Sequence, residues 1–359
     1  MKKEKYLQFL NLAVFLLVLF CTNDSNAQSR LLALSKTDHT LAIVDPVTLK
    51  VLGKVPVGND PHEVIASADG KTAYVSIYGG GSLHELNVID LVTMKALKNI
   101  DTRPLFGPHG LTFVDGKVWF TVEGSKAVAR YDPATTKIDW CMGTGQDRTH
   151  MIYVTPNAKK IYTTNVASGT VSILVDTLMN GGPPPPLMQP PISSKPGESR
   201  TMPPGGIRHE NWEQTIITTA HGAEGFDVSP DGTELWTASS ENGKIYIIDL
   251  AAKKVSATID AKVFGANRLQ FTPGGSKVFI SSLGSGALTI YDTKTHIEIK
   301  QVNIGHGAAG ILMDPDGSRA FVACTPDSYV AVVDLKTLEV TGHIDVGGGP
   351  DGLAWAIQR

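Results

Sequence analysis

Residues 223–255, AEGFDVSPDGTELWTASSENGKIYIIDLAAKKV, form one complete copy of a unit that recurs along most of the chain. An apolar strand, an Asp-Gly turn, a second strand, an Asn-Gly turn and a third strand ending in Asp249 follow in order, and a fourth apolar stretch closes the unit. Asp-Gly and Asn-Gly supply the positive φ angles of tight hairpin turns. The stretch therefore predicts four antiparallel strands.

The aspartate that ends the third strand recurs at a regular spacing. Successive copies are separated by 45, 42, 44, 73, 43 and 42 residues, and they are Asp45, Asp90, Asp132, Asp176, Asp249, Asp292 and Asp334. A fixed period of this length, with four strands per repeat, is typical of a propeller. We therefore predict an all-β fold, a seven-bladed β-propeller of four-stranded antiparallel blades.

The two ends of the chain predict how the ring closes. Residues 352–357, GLAWAI, read as a first strand with no successor, whereas residues 31–55 read as second, third and fourth strands with no first. Joining them completes the seventh blade and leaves no open sheet edge. We expect the N-terminal strands to join the C-terminal strand.

Residues 1–27 carry the pattern of a cleavable signal peptide. Lys2, Lys3 and Lys5 precede an apolar run, and residues 25–27, SNA, supply small residues at the cleavage site. The apolar run is too short to span a bilayer. We expect a periplasmic or secreted protein with no membrane span after cleavage; lipidation at Cys21 is the alternative.

Residues 28–359 are predicted to form a single propeller domain with one insertion. Residues 179–211 are rich in proline and account for the one long interval between repeats. Proline lacks the N–H that ladder pairing requires, so this segment is predicted to be a loop within one blade. A plain surface loop and a contact with a partner or second subunit are both open.

Composition excludes several classes of function. The formal net charge of −3 gives no reason to expect a nucleic-acid partner. The sequence contains no CxxC motif, which argues against a c-type haem and a thiolate zinc site. Strands do not alternate with crossover helices in this sequence, so the pattern of a dinucleotide-binding fold does not occur.

Four stretches share one repeat pattern: HEVIASADGKTAYVS from residue 62, HMIYVTPNAKKIYTTNVASGTVSIL from 150, EGFDVSPDGTELWTASS from 224 and AGILMDPDGSRAFVA from 309. The pattern resembles the YVTN family of seven-bladed propellers. Similar propellers serve as lactonases, as the copper-bearing domain of nitrous oxide reductase, as surface-layer modules and as nucleic-acid-binding periplasmic proteins. The resemblance therefore implies the fold and leaves the function open.

Aligning the repeats places one residue of each first strand at an equivalent point near the central axis. We call it the axial position, and its occupants are His62, His109, His150, Glu224, Asn267, Ala309 and Asp351. Because the first strands of all blades converge on the axis, these side chains are expected to meet. His221 and His306 lie three residues upstream of two of them and are expected at the same mouth.

Three histidines and a glutamate at the axial positions predict a metal-dependent enzyme. His62, His109 and His150 are the predicted ligands of copper, iron or zinc, because imidazole suits all three metals. Glu224 is predicted to be a fourth ligand or the general base. His221 and His306 are predicted to place the substrate as further catalytic residues.

Two alternatives use other residues of the same channel. Glu224, Asn267 and Asp351 offer the oxygen ligands that calcium prefers, and water activated there would open a lactone or similar ester. In the non-catalytic alternative, Arg268 holds a carboxylate or phosphate, and turns such as 78–83 and 123–126 form the rim of a module that binds a ligand or a protein. In either case Asn267, Arg268 and Asp351 are predicted to contact a small molecule in the axial channel.

Overall fold

The computed structural model describes residues 28–179 and 209–358. The predicted signal peptide and residues 180–208 of the predicted insertion lie outside the described residues. The described chain forms seven antiparallel sheets, which confirms the predicted seven-bladed β-propeller. The first strands of neighbouring blades contact one another in an unbroken cycle, so they form the innermost layer around the axis.

We number the blades in chain order and give their strands from the axis outward. Blade 1 consists of Pro61–Ala66, Thr72–Ile77, Glu85–Asp90 and the short pair Lys95–Ala96 and Ile100–Asp101. Blade 2 consists of Pro108–Val114, Lys117–Val122, Ala127–Asp132 and Lys137–Gly143. Blade 3 consists of Thr149–Val154, Lys160–Asn165, Thr170–Met179 and His209–Thr218. Blade 4 consists of Ala223–Val228, Glu234–Ser239, Ile245–Asp249 and Lys254–Ile259. Blade 5 consists of Ala266–Phe271, Lys277–Ser282, Ala287–Asp292 and Glu298–Asn303. Blade 6 consists of Ala308–Met313, Arg319–Cys324, Tyr329–Asp334 and Glu339–Ile344.

Blade 7 is built from both ends of the described chain. Pro350–Gln358 is its innermost strand and pairs with Gln28–Ser35, which is followed outward by Thr40–Asp45 and Lys50–Pro56. The pairing runs from Gln28 opposite Gln358 to Ser35 opposite Pro350. The predicted closure is therefore confirmed, and the composite blade leaves the ring without a free inner edge.

The repeated aspartates end the third strands by capping turns. The Asp45 carboxylate, for example, accepts hydrogen bonds from the backbone N–H groups of Val47 and Thr48, at 2.8 and 3.1 Å. Asp176 is the exception, because its strand continues to Met179 and pairs with His209–Thr218 beyond the point where the other blades turn. Its carboxylate pairs with Lys159 instead.

Apolar side chains from facing sheets fill the spaces between blades. Trp119, Trp236 and Phe279, at equivalent points of the second strands, are fully buried there. The only helical segments among residues 28–179 and 209–358 are two short 3₁₀ turns, Gly79–Gly81 and Glu123–Ser125. Within those ranges no helix has the length and apolarity needed to cross a bilayer.

Candidate functional site

A bulge near the start of every innermost strand fixes the axial residues. In each blade the pairing register shifts between the first and the fourth residue of that strand, and the axial residue is the second. Such bulges re-aim side chains. All seven axial residues therefore leave the sheet at one level of the ring.

Neighbouring blades are bonded to each other at this same level. Hydroxyl groups of the second strands donate to the axial carbonyl oxygen of the next blade: Thr121 to His150 at 2.5 Å, and Ser281 to Ala309 at 2.6 Å. Gly310, the residue after Ala309, has no room for a side chain, because a β-carbon there would lie closer than 3.0 Å to the next blade's backbone. The axial backbone is therefore held rigidly.

The axial residues line one cavity of about 350 Å³ at the mouth of the channel. Its lining includes all seven axial positions together with Arg268, so the structure brings together most of the predicted site. The axial residues of blades 1 to 3 form what we call the imidazole wall, His62, His109 and His150. Those of blades 4, 5 and 7 form the carboxylate wall, Glu224, Asn267 and Asp351.

The three rings of the imidazole wall are in contact. The ring centroids of His109 and His150 are 3.9 Å apart, and those of His62 and His109 are 4.8 Å apart. Tyr78 packs its ring edge-on against both His62 and His109. His109 and His150 are almost completely shielded from solvent.

Glu123 stands behind the imidazole wall and completes a cluster that could hold a metal ion. It is bound to His150 Nδ1 through Oε1, and Tyr78 donates its hydroxyl to Oε2 at 2.5 Å. Ligand atoms of His109, Glu123 and His150 all lie within 4.8 Å of one another, and all three residues are buried. This is the one group of that kind in the part of the chain that the structure describes.

Two nitrogens of this cluster have no hydrogen-bond partner among the described residues. They are His109 Nδ1 and His150 Nε2, and both are buried. Buried polar atoms of folded proteins are nearly always paired, so an unpaired set calls for an explanation such as an ion or a water. A carboxylate that holds the far nitrogen of a histidine is also the usual arrangement around a metal-ligating imidazole.

Burial sets the protonation of the cluster. It lowers the pKa of His109 well below its ordinary value, and the neighbouring His150 and His62 act in the same direction. Burial alone would raise the pKa of Glu123, but the hydrogen bonds from His150 and Tyr78 hold that pKa below its ordinary value. The cluster therefore presents a neutral His109 beside a carboxylate, and metals bind neutral imidazoles.

Both ring nitrogens of His62 are already engaged. Lys36 Nζ lies 2.7 Å from Nε2 and donates to it, while Nδ1 donates to the carbonyl oxygen of Asp60 at 3.1 Å. Lys36 also forms ion pairs with the carboxylates of Asp60 and Asp351, each at 3.4 Å. His62 therefore belongs to a network with Lys36, whereas His109 and His150 each have one buried nitrogen without a partner among the described residues.

The polar side chains of the carboxylate wall are engaged in hydrogen bonds and ion pairs. Asn267 Nδ2 donates to Glu224 Oε2 at 2.7 Å. The buried Arg268 pairs with Glu63, which lies on the innermost strand of blade 1, so this ion pair crosses the channel. Although burial opposes it, the carboxylates of Glu63, Asp351 and Glu224 raise the pKa of Arg268, and the guanidinium stays charged.

Charged side chains of both signs form a network of ion pairs around the cavity. The three cations are Lys36, Arg148 and Arg268, and the five carboxylates paired with them or with the histidines are Asp60, Glu63, Glu123, Glu224 and Asp351. The three cations line the cavity together with Glu224 and Asp351, whereas the other three carboxylates are not part of the lining.

Two of the predicted catalytic residues lie outside this cavity. His221 is exposed and is not part of the lining. The His306 side chain is 82% exposed, and its Nδ1 lies 3.0 Å from Asp327 Oδ1. The loops before the innermost strands of blades 4 and 6 therefore direct these histidines towards solvent, although the axial residues just after them line the cavity.

Five residues of the site were not among the predicted site residues. They are Lys36, Glu63, Tyr78, Glu123 and Arg148. Tyr78 and Glu123 begin two of the turns predicted to form a rim, which was the available signal for them. Glu63 follows His62 directly, but nothing in the repeat distinguishes it from a strand residue that faces the next blade.

Comparisons with known proteins support the fold. A protein from Bacteroides fragilis described as a "putative 6-phosphogluconolactonase" is 14% identical, with 93% of this chain and 99% of that chain covered and a TM-score of 0.68. A protein of Desulfotomaculum acetoxidans described as functionally unknown is 11% identical, with coverages of 89% and 98% and a TM-score of 0.65. The hydrazine synthase of Kuenenia stuttgartiensis is 16% identical, with coverages of 82% and 89% and a TM-score of 0.61.

These similarities define the class of protein as a seven-bladed β-propeller and extend no further. Identities this low are evidence of a shared fold, which hosts unrelated activities. No protein-family model and no curated protein sequence matches the chain. The resemblance to the YVTN repeat therefore stays a prediction, while the propeller that it implied is confirmed.

Proposed function

We propose that this protein is an exported, metal-dependent hydrolase that opens a small ester or lactone in the axial cavity. The observation that carries the proposal is the pair of buried, unpartnered nitrogens, His109 Nδ1 and His150 Nε2, beside the Glu123 carboxylate. Export is proposed from the signal-peptide pattern of residues 1–27.

His109 and His150 are the ligands that we propose for the metal, with Glu123 as the residue that orients His150 or as a third ligand. This set departs from the one predicted from sequence, because the nitrogens of His62 are bonded to Lys36 and Asp60. Imidazole and carboxylate donors suit zinc, iron or copper. When bound there, such a metal would supply Lewis acidity, which would polarise a carbonyl and lower the pKa of water.

Glu224 is the general base that we propose for this reaction. Arg148 lies 3.6 Å from Glu123 Oε2 and 3.7 Å from Glu224 Oε1, so a single guanidinium spans the distance between the metal cluster and Glu224. Asn267 holds the other oxygen of Glu224 and fixes the orientation of the carboxylate. Glu224 would take the proton from the attacking water, and the Lys36 ammonium would protonate the leaving oxygen.

A calcium-dependent version of the reaction is disfavoured by the bonding of the carboxylate wall. Asn267 turns its amide N–H₂ towards Glu224, and Asp351 is paired with Lys36. Calcium needs six to eight oxygen ligands, and these oxygens are already neutralised or hydrogen-bonded. We therefore propose a transition metal rather than calcium.

Metal content and hydrolysis test the proposal together. Untagged protein would be purified without chelators, analysed for zinc, iron, copper and calcium, and assayed with a panel of lactones and aryl esters. A lactone is a sensible first substrate, because one structurally similar protein carries the name of a lactonase. Stoichiometric transition metal, with hydrolysis that is lost on chelation and restored by that metal, is the expected result. Protein without metal would contradict the proposal.

The second candidate function is a binding module without catalysis. It is favoured by the three cations in the lining of the cavity, Lys36, Arg148 and Arg268, which suit an anionic small molecule. Metal-loaded protein that binds anions but hydrolyses no lactone or ester of the panel would support this function. We also propose residues 180–208 as a contact with a partner. Crosslinked products of wild type would be compared with those of a chain that lacks this segment.

A further inference from the structure

The residue just before every innermost strand has a positive φ. This pre-strand position is occupied by Asp60, Gly107, Arg148, Gly222, Gly265, Gly307 and Gly349, with φ between 53° and 76°. The ring therefore demands a left-handed backbone at seven equivalent places, and glycine satisfies the demand at five of them without steric cost. Asp60 and Arg148 are the two exceptions.

Asp60 and Arg148 differ in how well they tolerate this conformation. Aspartate is one of the few side chains that enters the left-handed region readily, because it forms local hydrogen bonds. Asp60 Oδ2 also accepts a hydrogen bond from the Gly80 N–H at 3.1 Å, which ties it to the turn after the second strand of the same blade. Arginine has no such local stabilisation, and of the two residues only Arg148 belongs to the lining of the axial cavity.

The Arg148 guanidinium is placed to receive a ligand. It lies in the lining of the axial cavity with its side chain 45% exposed. Its contacts with Glu123 and Glu224 are 3.6 and 3.7 Å, which is beyond hydrogen-bond distance, and its side chain donates no hydrogen bond to any residue within 28–179 and 209–358. A guanidinium carries five N–H donors in a planar fork.

The two flanking carboxylates position this fork without occupying it. Attraction from Glu123 on one side and Glu224 on the other keeps the guanidinium over the cavity. Its donors can then form a bidentate pair with two oxygens of a carboxylate or phosphate, which is the geometry that arginine recognises best. By contrast, Arg268 already donates to Glu63 and Asn267.

We propose that Arg148 is the residue that binds an oxyanion of the ligand, so that the ligand of the axial cavity is a small carboxylate- or phosphate-bearing molecule. The proposal rests on the proposed function for the location of the site. It adds the chemical class of the substrate and the residue that selects it. Arg148 replaces the glycine of five other blades because its charge is needed at the mouth of the cavity.

Two variants separate ligand binding from a structural role. Arg148→Gly restores the residue that the other blades use, so we expect a melting temperature equal to or above that of wild type. Lys126→Gly is the matched control. Lys126 also has a positive φ, of 50°, and carries one positive charge on a turn, but it is not part of the cavity lining.

Titration calorimetry with inorganic phosphate and with malonate measures anion binding to the full mature chain. We expect wild type to bind at least one of them, and the preferred anion distinguishes a phosphate ligand from a carboxylate ligand. Arg148→Gly should weaken that binding at least tenfold, Arg148→Lys by less, and Lys126→Gly not at all. Unchanged binding by Arg148→Gly, a lowered melting temperature of that variant, or no binding by wild type would overturn the proposal.

Metal analysis of the same samples keeps this inference separate from the proposed function. Arg148→Gly should still contain metal, because both proposed histidine ligands remain and Arg148 contacts only Glu123 of the cluster, at 3.6 Å. If wild type contains no metal and binds the anion, while Arg148→Gly does not bind it, the anion site stands and the hydrolase proposal fails. If metal is present but anion binding does not depend on Arg148, the hydrolase proposal stands and this inference fails.

Discussion

The imidazole wall and the carboxylate wall occupy equivalent backbone positions, yet only the imidazole wall has buried polar atoms without a hydrogen-bond partner among the described residues. In the imidazole wall, His109 Nδ1 and His150 Nε2 lack partners among the described residues. In the carboxylate wall, Glu224 is held by Asn267, and Asp351 by Lys36. The repeat thus decides where a side chain stands, and neighbours outside the axial positions decide whether it can bind anything.

Removing both proposed ligands should have the largest effect on this contrast. His109→Ala together with His150→Ala should weaken metal binding by about 5 kcal/mol or more, since roughly 10–16 kcal/mol is shared among the four ligands of a zinc site. Metal content by elemental analysis and competition with a chromophoric chelator measure the loss. The matched control is His221→Ala with His306→Ala, which removes two exposed histidines and should keep full metal. Equal losses in both double variants would contradict the ligand assignment.

Breaking the ion pair that crosses the channel should have the next largest effect. Arg268→Met leaves Glu63 as a buried carboxylate without its partner, and such a loss typically costs about 3–5 kcal/mol of the free energy of unfolding. Urea denaturation measures it. The double variant Glu63→Met with Arg268→Met should recover most of the stability, because no charge is then left unpaired. A double variant as unstable as the single one would show that the pair is not the cause.

Neutralising Glu123 should weaken the metal site without abolishing it. Glu123→Gln keeps the shape of the side chain but removes the charge that orients His150, and the loss of such a partner typically lowers metal affinity by about 10–100-fold. Chelator competition measures the affinity. Glu241→Gln, in the corresponding turn of blade 4 but outside the group of potential metal ligands, should leave it unchanged. Unaltered affinity in Glu123→Gln would remove Glu123 from the site.

The smallest expected effect is on the pH dependence of stability in metal-free protein. Burial lowers the pKa of His109 and of His62, so the unfolded chain binds more protons than the folded one below the ordinary pKa of 6.5. Stability is then complete above pH 6.5 and falls as the pH falls, and urea denaturation between about pH 7.5 and 5.5 measures the decline. His109→Asn should reduce that decline.

Asp227 acts in the opposite direction over the same pH range. Burial raises its pKa to about 7, so its contribution to stability is lost as the pH rises through 7. The comparison is therefore made between wild type and His109→Asn, in which Asp227 is the same. A decline as steep in the variant as in wild type would mean that His109 is not buried in its neutral form.

The sequence predicted the scaffold of the site better than its chemistry. All seven axial residues were aligned correctly, because each follows the same turn and precedes the same bulge in a repeated strand. The pairing of Glu123 with His150 was missed, since it joins the turn of blade 2 to the innermost strand of blade 3. Repeat alignment gives equivalent positions, and this contact joins residues that are not equivalent.

The sequence by itself determined the number of blades, the closure of the ring and the level at which the axial side chains meet, because each follows from a local pattern that the chain repeats. The tertiary structure decided which of those side chains are free to act. His62 is bonded to Lys36, and His221 and His306 lie outside the cavity. Hydrogen bonding and burial depend on atoms from several blades at once, and no single repeat contains that information.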